Sequence, residues 1–128
     1  MADEITLGAN NFKWLHDSNT RGLTLIRNNN SYGTYSLGEE YGTPYVVPAS
    51  HRTIILKIGF FGNSGDMQIY DSTSSDSATG TVLFDTNSDV DNFQCDVFWE
   101  LAAGHYFNVT VPDPKTVQVI AMAVETGV

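Results

Sequence analysis

Oxygen-bearing side chains crowd the stretch Asp85-Thr86-Asn87-Ser88-Asp89-Val90-Asp91, and Asp96 follows shortly after. A hard cation such as calcium takes six to eight oxygens at about 2.3–2.6 Å, and alternate carboxylates can supply several of them. Asp96 also falls where a twelve-residue helix–loop–helix calcium loop would place its last carboxylate. That motif is not met. Val90 stands where the loop needs glycine, Asn92 stands where an apolar anchor belongs, and the last ligand is Asp rather than Glu. A looser calcium site built from Asp85, Asn87, Asp89, Asp91 and Asp96 is one reading, and a solvated acidic loop is the other. No other cofactor is expected.

Nucleophilic chemistry finds less support. It needs a nucleophile, a base and an orienting group that meet in space. His16, His51 and His105 are scattered, and Cys95 is the single cysteine. Cys95 alternates with aromatic residues and does not open a helix that could lower its pKa. The serines of Ser72–Ser77 suit a turn-rich loop. The histidines and the cysteine also lack zinc-ligand spacing. No enzyme is expected. Asn108-Val109-Thr110 matches a glycosylation sequon, but it falls in an alternating stretch that predicts a strand, and it is taken as a chance match.

Trp14, Tyr32, Tyr35, Tyr41 and Tyr45 lie in the polar N-terminal region. Such side chains can stack on sugar rings, supply a subunit interface, or anchor a core. Their types alone do not separate the three, so all five are candidate interface or ligand contacts.

These residues must be held by strands. In Thr53–Phe61 one face carries Ile54, Leu56, Ile58 and Phe60. Alternation continues in Met67–Asp71, Thr81–Phe84, Phe93–Trp99, His105–Val111 and Thr116–Val124, the period of a half-buried strand. Gly62-Asn63-Ser64-Gly65-Asp66 predicts a hairpin between the first two of these. Phe98–Ala103 admits one turn of helix, cut short by Gly104. Pro112-Asp113-Pro114 ends a strand. Short strands separated by turns predict an all-β, antiparallel sandwich of jelly-roll type. Leu23–Ile26 and Tyr45–Val47 are further strand candidates. Residues 1–52 read as extended segments or an arm belonging to the same domain, and residues 53–128 as the sandwich core.

The chain has 128 residues, which fits one domain, and 41% of them are hydrophobic. Fifteen acidic residues against six basic ones give a formal net charge of −9. That balance offers no basic patch to displace counterions from phosphate, so neither nucleic acid nor an anionic membrane is an expected partner. The acidic balance is compatible with divalent cations and basic protein surfaces, and it also serves solubility alone. The acidic N-terminus has no apolar run behind it, so no secretion signal is expected.

The succession Ile58-Gly59-Phe60, Gly65-Asp66-Met67-Gln68-Ile69-Tyr70-Asp71, Gly80-Thr81-Val82-Leu83, Gly104-His105-Tyr106-Phe107-Asn108-Val109-Thr110 and Val117-Gln118-Val119-Ile120 resembles small bacteriophage structural proteins. The resemblance implies a β-sandwich that decorates a head or forms part of a tail or fibre, commonly as a homo-oligomer. The expectation is a virion protein, made in the host cytoplasm, that stabilises a capsid through contacts with itself and with the major capsid or another virion protein. A carbohydrate-binding module of a tail or fibre is the alternative. The resemblance carries no catalytic or binding residues, and the first 52 residues have no counterpart in it.

Overall fold

The computed structural model describes residues 20–29, 33–40, 43–64, 66–86, 90–111 and 116–128. These form eight strands: β1 (Arg21–Asn29), β2 (Gly33–Ser36), β3 (His51–Ser64), β4 (Gln68–Ser72), β5 (Thr81–Asp85), β6 (Val90–Ala102), β7 (Tyr106–Val111) and β8 (Thr116–Gly127). No helix occurs among the described residues.

Two four-stranded sheets stack face to face, one in the order β1-β8-β3-β6 and the other β2-β7-β4-β5. Pairing is nested: β4 lies antiparallel to β5, β3 to β6, β2 to β7 and β1 to β8. Rolling this long hairpin also brings β8 beside β3 and β7 beside β4. The result is the jelly-roll arrangement, in which every connection except β4–β5 crosses between the sheets.

Alternation builds the core. Leu23 and Leu25 of β1, Val119, Ala121 and Ala123 of β8, and Ile55, Ile58 and Phe60 of β3 face Ile69 of β4 and Phe107, Val109 and Val111 of β7. The alanines of β8 occupy a central strand, where small side chains let the facing sheet approach. Leu37, Tyr45, Val47 and Met67 close the ends of this core from the connecting segments.

Three local expectations are corrected. Ile54 and Leu56 do not share an inward face with Ile58 and Phe60. β3 pairs Ile55 with Ala123 and then Lys57 with Met122, which leaves Leu56 as a bulge. One extra residue exchanges the faces, so Thr53 and Ile55 point inward before the bulge, and Ile58 and Phe60 after it. Gly62–Asp66 does not close a hairpin either. β3 continues through Ser64 in one sheet and β4 begins at Gln68 in the other, so the chain crosses between layers after Ser64, and Gly62, at φ 116°, lies within β3 opposite Val117. Finally, Phe98–Ala102 remains in β6, where Arg52 pairs with Ala102. Complete burial of Leu101 on the inward face outweighs the helix preference of Leu-Ala-Ala.

The described residues between 21 and 47 contribute β1, β2 and five core side chains, Leu23, Leu25, Leu37, Tyr45 and Val47, so this part of the N-terminal region is built into the sandwich.

Candidate functional site

Of the three roles open to Tyr45, its position is that of a core anchor, 5% exposed. Its hydroxyl donates to Glu125 Oε2 at 2.6 Å and lies 2.6 Å from Thr53 Oγ1. Arg21 completes the cluster, placing Nε 3.0 Å from Glu125 Oε1 and Nη1 2.9 Å from Glu39 Oε1. The group therefore ties β1, the segment after β2, β3 and β8 together. Burial and the bond to Glu125 raise the Tyr45 pKa. Burial also works against the Glu125 carboxylate, but hydrogen bonds from Arg21 and Tyr45 outweigh it and hold that pKa below its ordinary value.

Tyr35 is half-buried, and the Arg27 guanidinium lies 4.8 Å from its ring centroid. One face of the ring is thus engaged in a cation–π contact. Trp14, Tyr32 and Tyr41 lie outside the described residues.

Among the proposed calcium ligands, Asp85 sits in β5 and accepts a bond from Gln68 Nε2 at 3.1 Å. Asp96 is exposed in β6, with Lys57 Nζ 3.6 Å away. These two carboxylates belong to different sheets. Asn87, Asp89 and the side chain of Asp91 lie outside the described residues, and the remainder form no group of three ligands.

His105 Nδ1 meets Asp71 Oδ1 at 2.6 Å near the β6–β7 turn, while His51 Nδ1 lies 2.8 Å from the Ala49 carbonyl. His16 lies outside the described residues. Burial, and then the charge of Asp96, raise the Cys95 thiol pKa. Asn108 of the sequon is buried: its Nδ2 donates to the carbonyls of Ser74 and Ser77 at 2.9 and 2.8 Å, and its Oδ1 accepts from Ser36 Oγ at 2.5 Å. It clamps the β4–β5 connection, and a glycan there would destroy the clamp.

The surface best suited to contact was not foreseen. β5 and β6 are the outer strands of their sheets on the same side of the sandwich. Phe84 of β5 faces Phe93 and Trp99 of β6 at ring-centroid distances of 5.9 and 6.2 Å, with Phe60 and Phe107 behind them. Leu83, Phe84, Phe93, Cys95, Val97 and Trp99 all pack on the core yet stay partly open to water. Every one of these side chains lies on β5 or β6. Beside them Val82 is 52% and Phe98 69% exposed. The core is therefore incompletely covered along one margin.

The opposite margin is better protected. Ile26 of β1 and Gly38 exchange backbone hydrogen bonds of 2.7 and 3.2 Å. Position 38 admits only glycine for a separate reason: the segment after it folds back so closely that a Cβ there would lie 1.6 Å from the Thr43 carbonyl oxygen. Ser36 of β2 donates its backbone N–H to Asp76 Oδ1 at 2.7 Å. Among the described residues no strand lies on the free side of β6, which leaves a long edge to pair.

Apolar cavities elsewhere are shallow. One of about 370 Å³ on the outer face of the β1-containing sheet is lined by Thr24, Leu56, Met122 and Val124, and it lacks the converging polar groups of a small-molecule site.

No protein-family model and no curated protein matches the chain. Solved structures resemble it weakly. A structure of Bacillus endospore appendages, described as disulfide-linked pili, gives a TM-score of 0.43 at 10% identity, covering 85% of this chain and 87% of the other. The virus-like particle of the giant freshwater prawn Macrobrachium rosenbergii extra small virus gives 0.39 at 13%, covering 83% and 77%. The capsid asymmetric unit of cyanophage Pam1 gives 0.37 at 9%, covering 88% and 89%. Likenesses of this degree carry no function from those proteins to this chain.

Proposed function

We propose that this chain is a non-catalytic structural subunit of a virion, a capsid decoration or head-associated protein that stabilises the shell by contacts with itself and with shell subunits. The half-open core along β5 and β6 carries this reading. A row of aromatic and aliphatic side chains packed on one side and wet on the other gains hydrophobic free energy when a neighbour covers it. Each subunit that binds only the assembled shell shifts assembly forward by mass action. The net charge of −9 adds long-range attraction to basic shell patches and speeds encounter.

The test is sedimentation of the purified protein with shells from its source. Saturable binding is expected, and Phe98→Glu should weaken it by about tenfold or more, because a charge would then be buried at a hydrophobic contact. Phe98 is exposed, so this variant should keep the melting temperature of the unaltered protein. Absence of saturable binding by the unaltered protein contradicts the proposal.

A further inference from the structure

We infer that the outer face of the β1-β8-β3-β6 sheet packs on the same face of a second copy of this chain. The twofold axis runs along the strands, between β8 and β3. The inference goes beyond the reading of the β5–β6 margin, whose edge this pairing leaves open to a shell.

The outer faces of the two sheets differ in kind. On the β2-β7-β4-β5 sheet the outward rows are polar: Thr34, Thr110 and Gln68 lie side by side, and Ser36, Asn108 and Tyr70 form the next row. On the other sheet Ile26 pairs with Ile120, and Thr24 pairs with Met122, which is 53% exposed. Phe61 and Phe98 are exposed on this same face. β8 accordingly reads Val119-Ile120-Ala121-Met122-Ala123-Val124, and β3 reads Ile54-Ile55-Leu56. Near-continuous apolar runs of this kind are the pattern of strands covered on both faces.

A second copy fits this face by shape. Leu56 is a bulge against β8, and β6 sets Val97 and Phe98 together against Leu56. The two bulges therefore share one level, which on β8 falls between Met122 and Ala123 and on β1 between Thr24 and Leu23. At the β6 end of this row Phe98 projects into water. Toward the β1 end lies the hollow of about 370 Å³ among Gly22, Thr24, Leu56, Met122 and Val124. Gly22 keeps it open, since a Cβ there would meet nothing within 4 Å.

An axis along the strands keeps every residue at its own level while it exchanges β6 with β1 and β3 with β8. Phe98 of each copy then enters the hollow of the other, the self-complementarity that an isologous contact requires. An axis across the strands lays β6 on β6 and keeps Phe98 away from both hollows. Two sheets stacked in the first way hold their strands within about 30° of each other, the ordinary aligned packing.

Charge and area agree with a copy as the occupant. The chain carries −9, yet the charges of this face cancel: Lys57 lies 3.6 Å from Asp96, and Arg52 lies 2.7 Å from Glu100. All four sit on β3 or β6, so the axis sets them over outward residues of β8 and β1, which are uncharged among the described residues. No like charges meet, and a basic partner would find no excess negative charge here. With nine residues in β1 and twelve in β8, four strands about 4.8 Å apart give a face of about 600–800 Å². Two such faces reach the ~1,200–2,000 Å² of a stable specific interface.

Analytical ultracentrifugation of the full chain tests this, and a dimer is expected. Gly22→Leu fills the hollow, and Phe98→Ala removes the side chain that enters it. Each should weaken the dimer about tenfold or more. Both positions are exposed, so near-ultraviolet circular dichroism should keep its folded signature in each variant. Combined, the two substitutions should weaken the dimer no more than one does alone, because they remove a single contact.

A chain that stays monomeric at high concentration overturns the inference. So do a dimer that both substitutions leave intact and additive losses in the double variant. Gly22 lies on β1, away from the β5–β6 margin, and shell binding is read separately. A monomer that still sediments with shells refutes the pairing and leaves the proposed function standing, whereas a dimer that binds no shell does the reverse.

Discussion

At the scale of single residues, the Tyr45–Glu125–Arg21 cluster shows how a polar group holds a place in an apolar interior. Tyr45→Phe removes the hydroxyl that satisfies both Glu125 and Thr53, leaving buried oxygen atoms short of a partner. Such a loss costs about 1–3 kcal/mol, readable as a lower midpoint in urea denaturation. The same cluster sets an acid dependence. The folded pKa of Glu125 is depressed, so its stabilising contribution is fully present above the unfolded value near ~4.3. It is lost as pH falls through the folded value. Thermal melting should therefore decline across that acid range, and Glu125→Gln should flatten this part of the profile. The sequence did not reveal the cluster. Glu125 is 80 residues from Tyr45, and a tyrosine among Gly, Thr and Pro has the same composition whether displayed or buried.

Strands were legible wherever apolar side chains alternate without interruption, as in β7, β8 and the Phe93–Trp99 part of β6, while the end of β6 reads as a turn of helix. The exception was β3. Thr53–Phe61 alternates cleanly on paper, but the bulge at Leu56 exchanges its faces halfway, and no glycine or proline marks it. The two assignments predict different costs. Ile55→Ala empties a fully buried site and should destabilise by about 2–5 kcal/mol, while Leu56→Ala, on the outer surface, should cost about 1 kcal/mol or less. A larger loss for Leu56→Ala than for Ile55→Ala in chemical denaturation would argue for uninterrupted alternation. Connections were legible as turns but not as to which sheets they join. Gly62–Asp66 supplies the backbone freedom that a hairpin needs, and a crossing between layers needs the same freedom. What decides is the partner of each strand, and pairing across the nested hairpin joins segments as distant as Arg21 and Glu125.

For the molecule as a whole, the jelly roll follows from strand count and turn spacing, whereas the uneven protection of its two margins does not. The β1–β2 margin is tied by backbone bonds to the segment after β2 and by the Asp76 carboxylate. The β5–β6 margin leaves an aromatic rack half covered. The sequence places Phe84, Phe93 and Trp99 on strands, and only the stacking of the sheets shows that these strands share an unprotected side. On the proposed reading, that asymmetry gives the fold one preferred contact face.

Hydrogen exchange measured on the dilute chain and on the chain seated on its native particle tests this account most directly. Backbone amides from Val82 to Asp85 and from Phe93 to Glu100 should exchange markedly more slowly on the particle, with little change along β1 and β2. Unchanged exchange in β5 and β6, with protection gained at another face, would contradict it.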